Sequence, residues 1–359
     1  MSMSRFLSAR FLELEAYVPG EQPRDQQYIK LNTNESPYPP SPEVLERVSE
    51  AEVKKLNLYP DPSGKVLKEK LAGLYGVEAK NVFLSNGSDD ILNFAFMAFC
   101  DEGHGVMFPE ISYGFYPVYA ELYHLPTVQV PLREDFTIDH TKYFHAGKMV
   151  VIANPNAPTG LMLSLEQVKE ILDNNKENIV LIDEAYVDFG GTSAVALTKE
   201  YDNLLVVQTF SKSRSMAGAR LGFAIADAGI IEDLEKIKFS TNPYSINRLT
   251  MAAGEAAADS DAYYKANALK IIETRENTAK ALKDLGFTVL DSKANFLFAK
   301  HPALDGGLLY EELKKKGVLV RHFTKKKIED FLRITIGTPE EMAVLLEKLS
   351  EILKEQKVK

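Results

Sequence analysis

The chain of 359 residues holds no tryptophan and one cysteine, Cys100. A single thiol excludes an intrachain disulfide and a cysteine-held metal cluster; it fits a reducing cytoplasm, and no metal site is expected. Long apolar runs are also missing. The richest, Ile91 to Cys100, falls short of the roughly 18 residues that a membrane helix needs, and reads as a buried helix. Arg5, Arg10, Glu13 and Glu15 interrupt the apolar positions at the amino terminus, so no secretion signal is expected. Positive charge is in deficit. A net charge of −9 argues against nonspecific nucleic-acid binding, and the triplets Lys314 to Lys316 and Lys325 to Lys327 read as solvated faces. No internal repeat or low-complexity segment occurs. What remains is ordinary globular composition, 45% hydrophobic and 26% charged, in a chain long enough for one large and one small domain.

Residues 1–30 read as an arm with one amphipathic segment and a turn at Tyr17-Val18-Pro19-Gly20. Pro37 to Pro42 is a stretched connection, since fixed proline angles disfavour a helix there. From residue 64 onward, helical and strand patterns alternate. Lys65 to Tyr75, Ser88 to Phe99 and Leu165 to Asp173 have helical period. Val82 to Leu84, Gly105 to Phe108, Lys148 to Ala153, Asn178 to Asp183 and Leu204 to Thr209 are short apolar strands. This alternation predicts an α/β fold: residues 31–250 form a large domain with a mostly parallel sheet covered by helices. Residues 251–359 form a smaller α+β domain, which begins with a long interdomain helix. Its strands are expected near Thr288 to Leu290, Asn295 to Ala299, Val318 to Arg321 and Leu332 to Ile336, before a final helix.

In such sheets ligands sit at the carboxyl ends of the strands, and Asn156, Asp183 and Lys212 each follow a strand there. Lys212 lies in Thr209-Phe210-Ser211-Lys212-Ser213-Arg214-Ser215-Met216-Ala217-Gly218-Ala219-Arg220, an amine among groups that can cradle a phosphate. Pyridoxal 5′-phosphate needs such a pairing. Its aldehyde is held as a Schiff base by an amine, its phosphate by donors and a cation, and its ring nitrogen by a carboxylate. Asp183, at the end of the apolar run Ile179 to Ile182, is the candidate carboxylate.

In their joint order, Leu31-Asn32-Thr33-Asn34-Glu35-Ser36-Pro37, Tyr59-Pro60-Asp61, Asn86-Gly87-Ser88-Asp89-Asp90, Asn154-Pro155-Asn156-Ala157-Pro158-Thr159-Gly160, Asp183-Glu184-Ala185-Tyr186, Ser211-Lys212 to Arg220 and Leu332-Arg333-Ile334-Thr335 carry a resemblance. The chain is similar to the fold-type I pyridoxal phosphate-dependent aminotransferases, and within them to the branch that uses histidinol phosphate. The resemblance implies that Lys212 holds the cofactor and moves the proton at the substrate α-carbon, while Asp183 keeps the ring nitrogen protonated. Tyr186 would donate to the ring oxygen, unless it is a packed tyrosine. Gly87, Ser88 and Asp89 open a helix whose free amides suit a phosphate, with Thr209, Ser211 and Arg220 completing the cage.

The resemblance further implies that Tyr113 stacks on the cofactor, although Phe115, Tyr116 and Tyr119 are neighbouring aromatics. Tyr59 would reach the phosphate of a neighbouring subunit, which makes a homodimer with shared active sites. The family's asparagine before Pro-Thr-Gly, which bonds the ring oxygen, is replaced by Ala157. Either Asn156 reaches that oxygen through a shifted turn, or Tyr186 holds it. Arg333 matches the arginine that grips substrate carboxylates, with a structural ion pair as the alternative. Arg321, Asn32, Tyr244 and Asn295 are further substrate-site candidates, and Tyr17 is expected from the partner's arm.

The expected reaction is transamination of histidinol phosphate with glutamate and 2-oxoglutarate, as in histidine biosynthesis. An aromatic-amino-acid aminotransferase or a threonine-phosphate decarboxylase would keep Lys212, Asp183 and Arg220. A noncatalytic cofactor-binding sensor is the rival of another class; such sensors carry an added DNA-binding domain, for which the sequence ahead of the arm leaves no room.

Overall fold

The computed structural model describes residues 7–12 and 14–356. Arg5 and Glu13, which break the apolar pattern of the arm, lie outside the described residues. Seven strands form the main sheet, in the order Val82–Ser85, Gly222–Ala226, Leu204–Thr209, Val180–Asp183, Met149–Ala153, Val106–Pro109, Thr127–Val130. The neighbours are parallel except that Gly222–Ala226 runs antiparallel to both of its partners. The sheet is therefore mostly parallel, as expected.

The strands Val180–Asp183, Leu204–Thr209 and Met149–Ala153 are buried along their whole length. That accounts for their continuous apolar runs, because helices cover both faces and neither side chain direction meets water. Two apolar clusters fill the two faces. One gathers Leu67, Val150, Ile182, Val206 and Ala257; the other gathers Phe83, Ile91, Phe108, Val151 and Leu205. Alternate residues of one strand thus serve opposite layers.

Two helices, Arg248–Asp259 and Asp261–Asp284, leave the large sheet and meet at Ser260. Beyond them Arg321–His322, Leu332–Thr335, Phe296–Lys300 and Thr288–Val289 form a four-stranded antiparallel sheet, backed by the final helix Pro339–Glu355. The expected single strand Val318 to Arg321 is two: Val318–Leu319 pairs in parallel with Ile29–Lys30, while Arg321–His322 joins the small sheet.

Two other sequence expectations shift. Residues from Ile29 to Leu31 belong with the small sheet's layer, since Ile29 and Leu31 donate their N–H groups to Gly317 and Leu319 and Leu31 packs in the core of that layer. Pro42 ends the stretched connection by opening a helix, Pro42–Arg47, at a position where a missing N–H costs nothing. The strands Thr127–Val130 and Gly222–Ala226 and the helices Phe115–Leu122 and Ala228–Thr241 are further elements of the large layer. Among the described residues no helix is long and apolar enough to cross a membrane.

Candidate active site

The carboxyl ends of the parallel strands converge on a cavity of about 150 Å³ lined by Ser88, Asp89, Tyr113, Ala157, Asp183, Tyr186, Thr209, Ser211, Lys212 and Arg220. Lys212 leaves the loop after Leu204–Thr209, and its Nζ donates to the Thr33 carbonyl at 3.2 Å. The amine's pKa is pushed down from 10.5 to about 8, first by burial and then by the Arg333 cation. Asp183 closes its strand fully inside the fold. Burial raises its carboxyl from 3.8 to about 6, against hydrogen bonds from the Tyr116 hydroxyl at 2.9 Å and the Ala185 N–H at 3.2 Å. A cation brought beside it would reverse that shift.

At the other end of the cavity the helix Ser88–Phe99 begins behind Gly87. Gly87 has φ +89°, and a Cβ there would stand 2.6 Å from Arg220 Nη2. The glycine is thus what lets the guanidinium lie against the helix start. Arg220 itself has φ +56°, a left-handed conformation that few side chains adopt. It is held by Asp89 Oδ2 at 2.8 Å and by the Ser211 hydroxyl at 3.5 Å. Asp89 also accepts from the Tyr113 hydroxyl at 2.7 Å, so it fixes the cation and the aromatic ring together. Thr209 Oγ1 lies 3.0 Å from Ser211 Oγ.

A second cavity of about 630 Å³ opens from the first. Tyr17, Asn32, Asn34, Tyr113, Ala157, Tyr186, Lys212, Arg321, Phe323, Lys325 and Arg333 are on its wall. Arg321 and Arg333 stand directly opposite each other on adjacent antiparallel strands. Arg333 donates to the Asn32 carbonyl at 3.1 Å, and its Nε is buried without a partner. Arg321 donates to the carbonyls of Val18 and Pro19, each at 3.3 Å. Both guanidiniums also lie against the Phe323 ring, at 5.6 and 5.7 Å from its centroid; two facing cations repel each other and suit an incoming anion.

The structure brings together most of the residues singled out in the sequence, and it sets three apart. Asn156 does not reach the cavity: its amide donates to the Ile111 carbonyl and Thr159 and accepts from Ser112, so the shifted-turn alternative has no free donor, and Ala157 faces the site instead. Asn295 is buried behind Asn34, donating to its carbonyl at 3.1 Å. Tyr244 stands at the surface, stacked on Tyr59 with ring centroids 4.3 Å apart. Within this chain Tyr17 lines the larger cavity, stacked on Phe115 with ring centroids 4.2 Å apart, where a tyrosine from the partner's arm is expected.

Asn34, Glu35, Thr33 and Tyr116 also serve the site without having been picked from the sequence. The motif Leu31 to Pro37 holds two asparagines of the same chemistry, and their hydrogen bonds tell them apart. Asn32 spends its amide on the Glu21 carbonyl at 2.8 Å, while Asn34 reaches Tyr186.

A buried carboxylate, a depressed lysine, an aromatic wall, and hydroxyls with one arginine at a helix start are the donor set that pyridoxal phosphate calls for. The residues fit the group. With a mostly parallel sheet carrying such a site, the chain belongs to the family of aminotransferases of class I and II, whose family model matches residues 26–349. More narrowly, it is similar to the histidinol-phosphate aminotransferase of Brachyspira hyodysenteriae, at 53% identity over 98% of this chain and 100% of that one. The enzyme of the same name from Clostridium acetobutylicum is 48% identical over 98% of this chain and 100% of its own length. Among solved structures, histidinol-phosphate aminotransferase from Sinorhizobium meliloti in complex with pyridoxal-5′-phosphate has the same fold, with a TM-score of 0.87 at 23% identity, covering 98% of this chain and 100% of that one.

Proposed function

We propose that the chain is a histidinol-phosphate aminotransferase, moving the amino group between histidinol phosphate and the glutamate/2-oxoglutarate pair with pyridoxal 5′-phosphate as cofactor. The observation that carries the substrate is the facing pair Arg321 and Arg333, neither of which forms an ion pair among the described residues, on the cavity that Lys212 also lines. Histidinol phosphate bears a phosphate and no carboxylate, whereas glutamate bears two carboxylates. Guanidinium clamps either anion with paired hydrogen bonds.

When bound, the cofactor supplies the aldehyde that carries the amino group and the ring that takes up the electron pair released at the α-carbon. The chain's residues do the rest. Thr209, Ser211, Arg220 and the amides behind Gly87 would bind the phosphate, Asp183 would hold a proton on the ring nitrogen, and Tyr113 would cover one face. Lys212, whose pKa burial and Arg333 push down to about 8 so that it gives up its proton more readily than a free lysine, accepts the α-proton and returns it. Arg333 and Arg321 orient the substrate's anion, and Tyr17 and Phe323 close the cavity against water.

The fold divides at the helix junction near Ser260 into a large cofactor-binding unit and a small unit carrying the arginines, with the arm crossing between them. The working form is a homodimer of the cytoplasm. Tyr59 is 77% exposed, and Leu45, Val53, Leu56 and Leu58, close to it in the sequence, are exposed as well, which supports a partner placed there and a phosphate contact made across it. Steady-state rates with histidinol phosphate against tyrosine, phenylalanine and threonine phosphate test the reading; a higher kcat/KM for tyrosine or phenylalanine, or release of carbon dioxide from threonine phosphate, overturns it.

A further inference from the structure

Asn34 is buried and has φ +56°, a left-handed conformation that costs a residue with a side chain. Four of its polar groups are engaged. Its N–H donates to Thr335 Oγ1 at 3.0 Å, and Thr335 Oγ1 lies 3.1 Å from Asn34 Oδ1. Its Nδ2 lies 2.9 Å from the Tyr186 hydroxyl, and its carbonyl accepts from Asn295.

These contacts have a direction. The backbone N–H can only donate, so Thr335 Oγ1 accepts it, and the Thr335 proton is left for Asn34 Oδ1. That fixes the amide, for the opposite orientation strands a buried hydroxyl proton, at a cost of about 1–3 kcal/mol. Nδ2 therefore donates to Tyr186, occupying a lone pair of the phenol and leaving its proton to be offered into the cavity that Tyr186 shares with Lys212 and Asp183. The relay runs from Thr335 to Asn34 to Tyr186 and outward. At the same wall Ala157 presents only a methyl group, and the Asn156 amide is spent inside its own loop.

We infer that Asn34, set by Thr335, is a positioning residue that fixes the Tyr186 hydroxyl as a donor to the oxygen of the cofactor ring, and that this relay stands in for the amide missing at Ala157. The inference rests on the cofactor reading above. It also ties the strand of Arg333 to the cofactor, because Thr335 lies two positions beyond Arg333 on that strand.

The test reads the near-visible absorbance of the lysine-bound cofactor as a function of pH, without substrate. A donor to the ring oxygen draws off the negative charge that stabilises the protonated nitrogen beside it, so losing the donor raises the midpoint. Asn34→Ala and Thr335→Val are each expected to raise it by about one pH unit, the worth of one net hydrogen bond, in the same direction as Tyr186→Phe. Thr335→Ser keeps the hydroxyl and keeps the parent midpoint. In a Tyr186→Phe background neither change adds a further shift, and Ala157→Asn added to Asn34→Ala lowers the midpoint again. All of these swaps are uncharged, so Arg333, Asp183, Asp89, Glu35 and Arg220 around Tyr186 and Lys212 are unchanged. The inference is overturned if Tyr186→Phe moves the midpoint while Asn34→Ala and Thr335→Val, with parent circular dichroism, do not. It is overturned equally if the Asn34→Ala shift persists undiminished in the Tyr186→Phe chain. No near-visible band in the parent chain removes the cofactor reading itself, and the inference with it.

Discussion

Moving the Lys212 amine out of water and placing Arg333 near it both penalise the ammonium, so its pKa falls to about 8. A depressed lysine is neutral above that value and protonated below it. Amine-reactive labelling of the unloaded protein at Lys212 should therefore reach half its limiting rate near pH 8, while exposed lysines keep rising toward pH 10, the ordinary lysine range; labelling that tracks the surface lysines would contradict the burial argument. Lys212→Ala should bind cofactor through the phosphate groups yet lack the near-visible band, as read by absorbance after gel filtration. Arg333 is the other residue whose surroundings define its task. Its Nε is buried and unpartnered, and a lysine there would lose the paired geometry that a guanidinium gives an anion. Single-turnover kinetics of Arg333→Lys should show both half-reactions weakened by about 1.5–3 kcal/mol each; loss confined to glutamate would separate the two anion sites.

Elements rather than single side chains explain why the phosphate end is built as it is. The start of Ser88–Phe99 and the loop bearing Arg220 touch where Gly87 has no side chain, and Gly222 on the adjoining strand likewise leaves room, since a Cβ there would meet the Ser88 nitrogen at 2.5 Å. Gly87→Ala brings both a left-handed alanine and a clash with Arg220, so cofactor binding, measured by fluorescence titration, should weaken about tenfold or more at a strain of about 1–3 kcal/mol. Much of this was legible in the sequence, because parallel strands buried on both faces must be apolar throughout and must end in the polar residues that serve the site. Asp183, Lys212 and Gly87 to Asp89 stood out for that reason. Gly222–Ala226 was less legible: it is as apolar as its neighbours, and composition does not reveal that its direction is reversed. The roles of Asn34 and Tyr116 were not legible, since each acts through a partner far along the chain, Thr335 and Tyr186 for the one and Asp183 for the other.

For the whole molecule, the exposed Tyr59 and the exposed apolar residues close to it in the sequence make assembly the natural question. Mixing Lys212→Ala chains with Tyr59→Phe chains, after reversible dissociation, should yield more activity than either alone, because one site of each mixed pair has an intact lysine and an intact tyrosine. A fully active monomer by light scattering would end that account. The sheet order carries a consequence of another sort, for synthesis. Among the described residues Val82–Ser85 pairs with Gly222–Ala226 alone, so the early strand emerges from the ribosome long before that partner. A nascent chain that has just passed Lys212 already possesses the reactive amine and the ring carboxylate, yet it lacks Arg220 and the strand that docks the helix start. The groups that suit a phosphate are thereby assembled only when the large layer has closed.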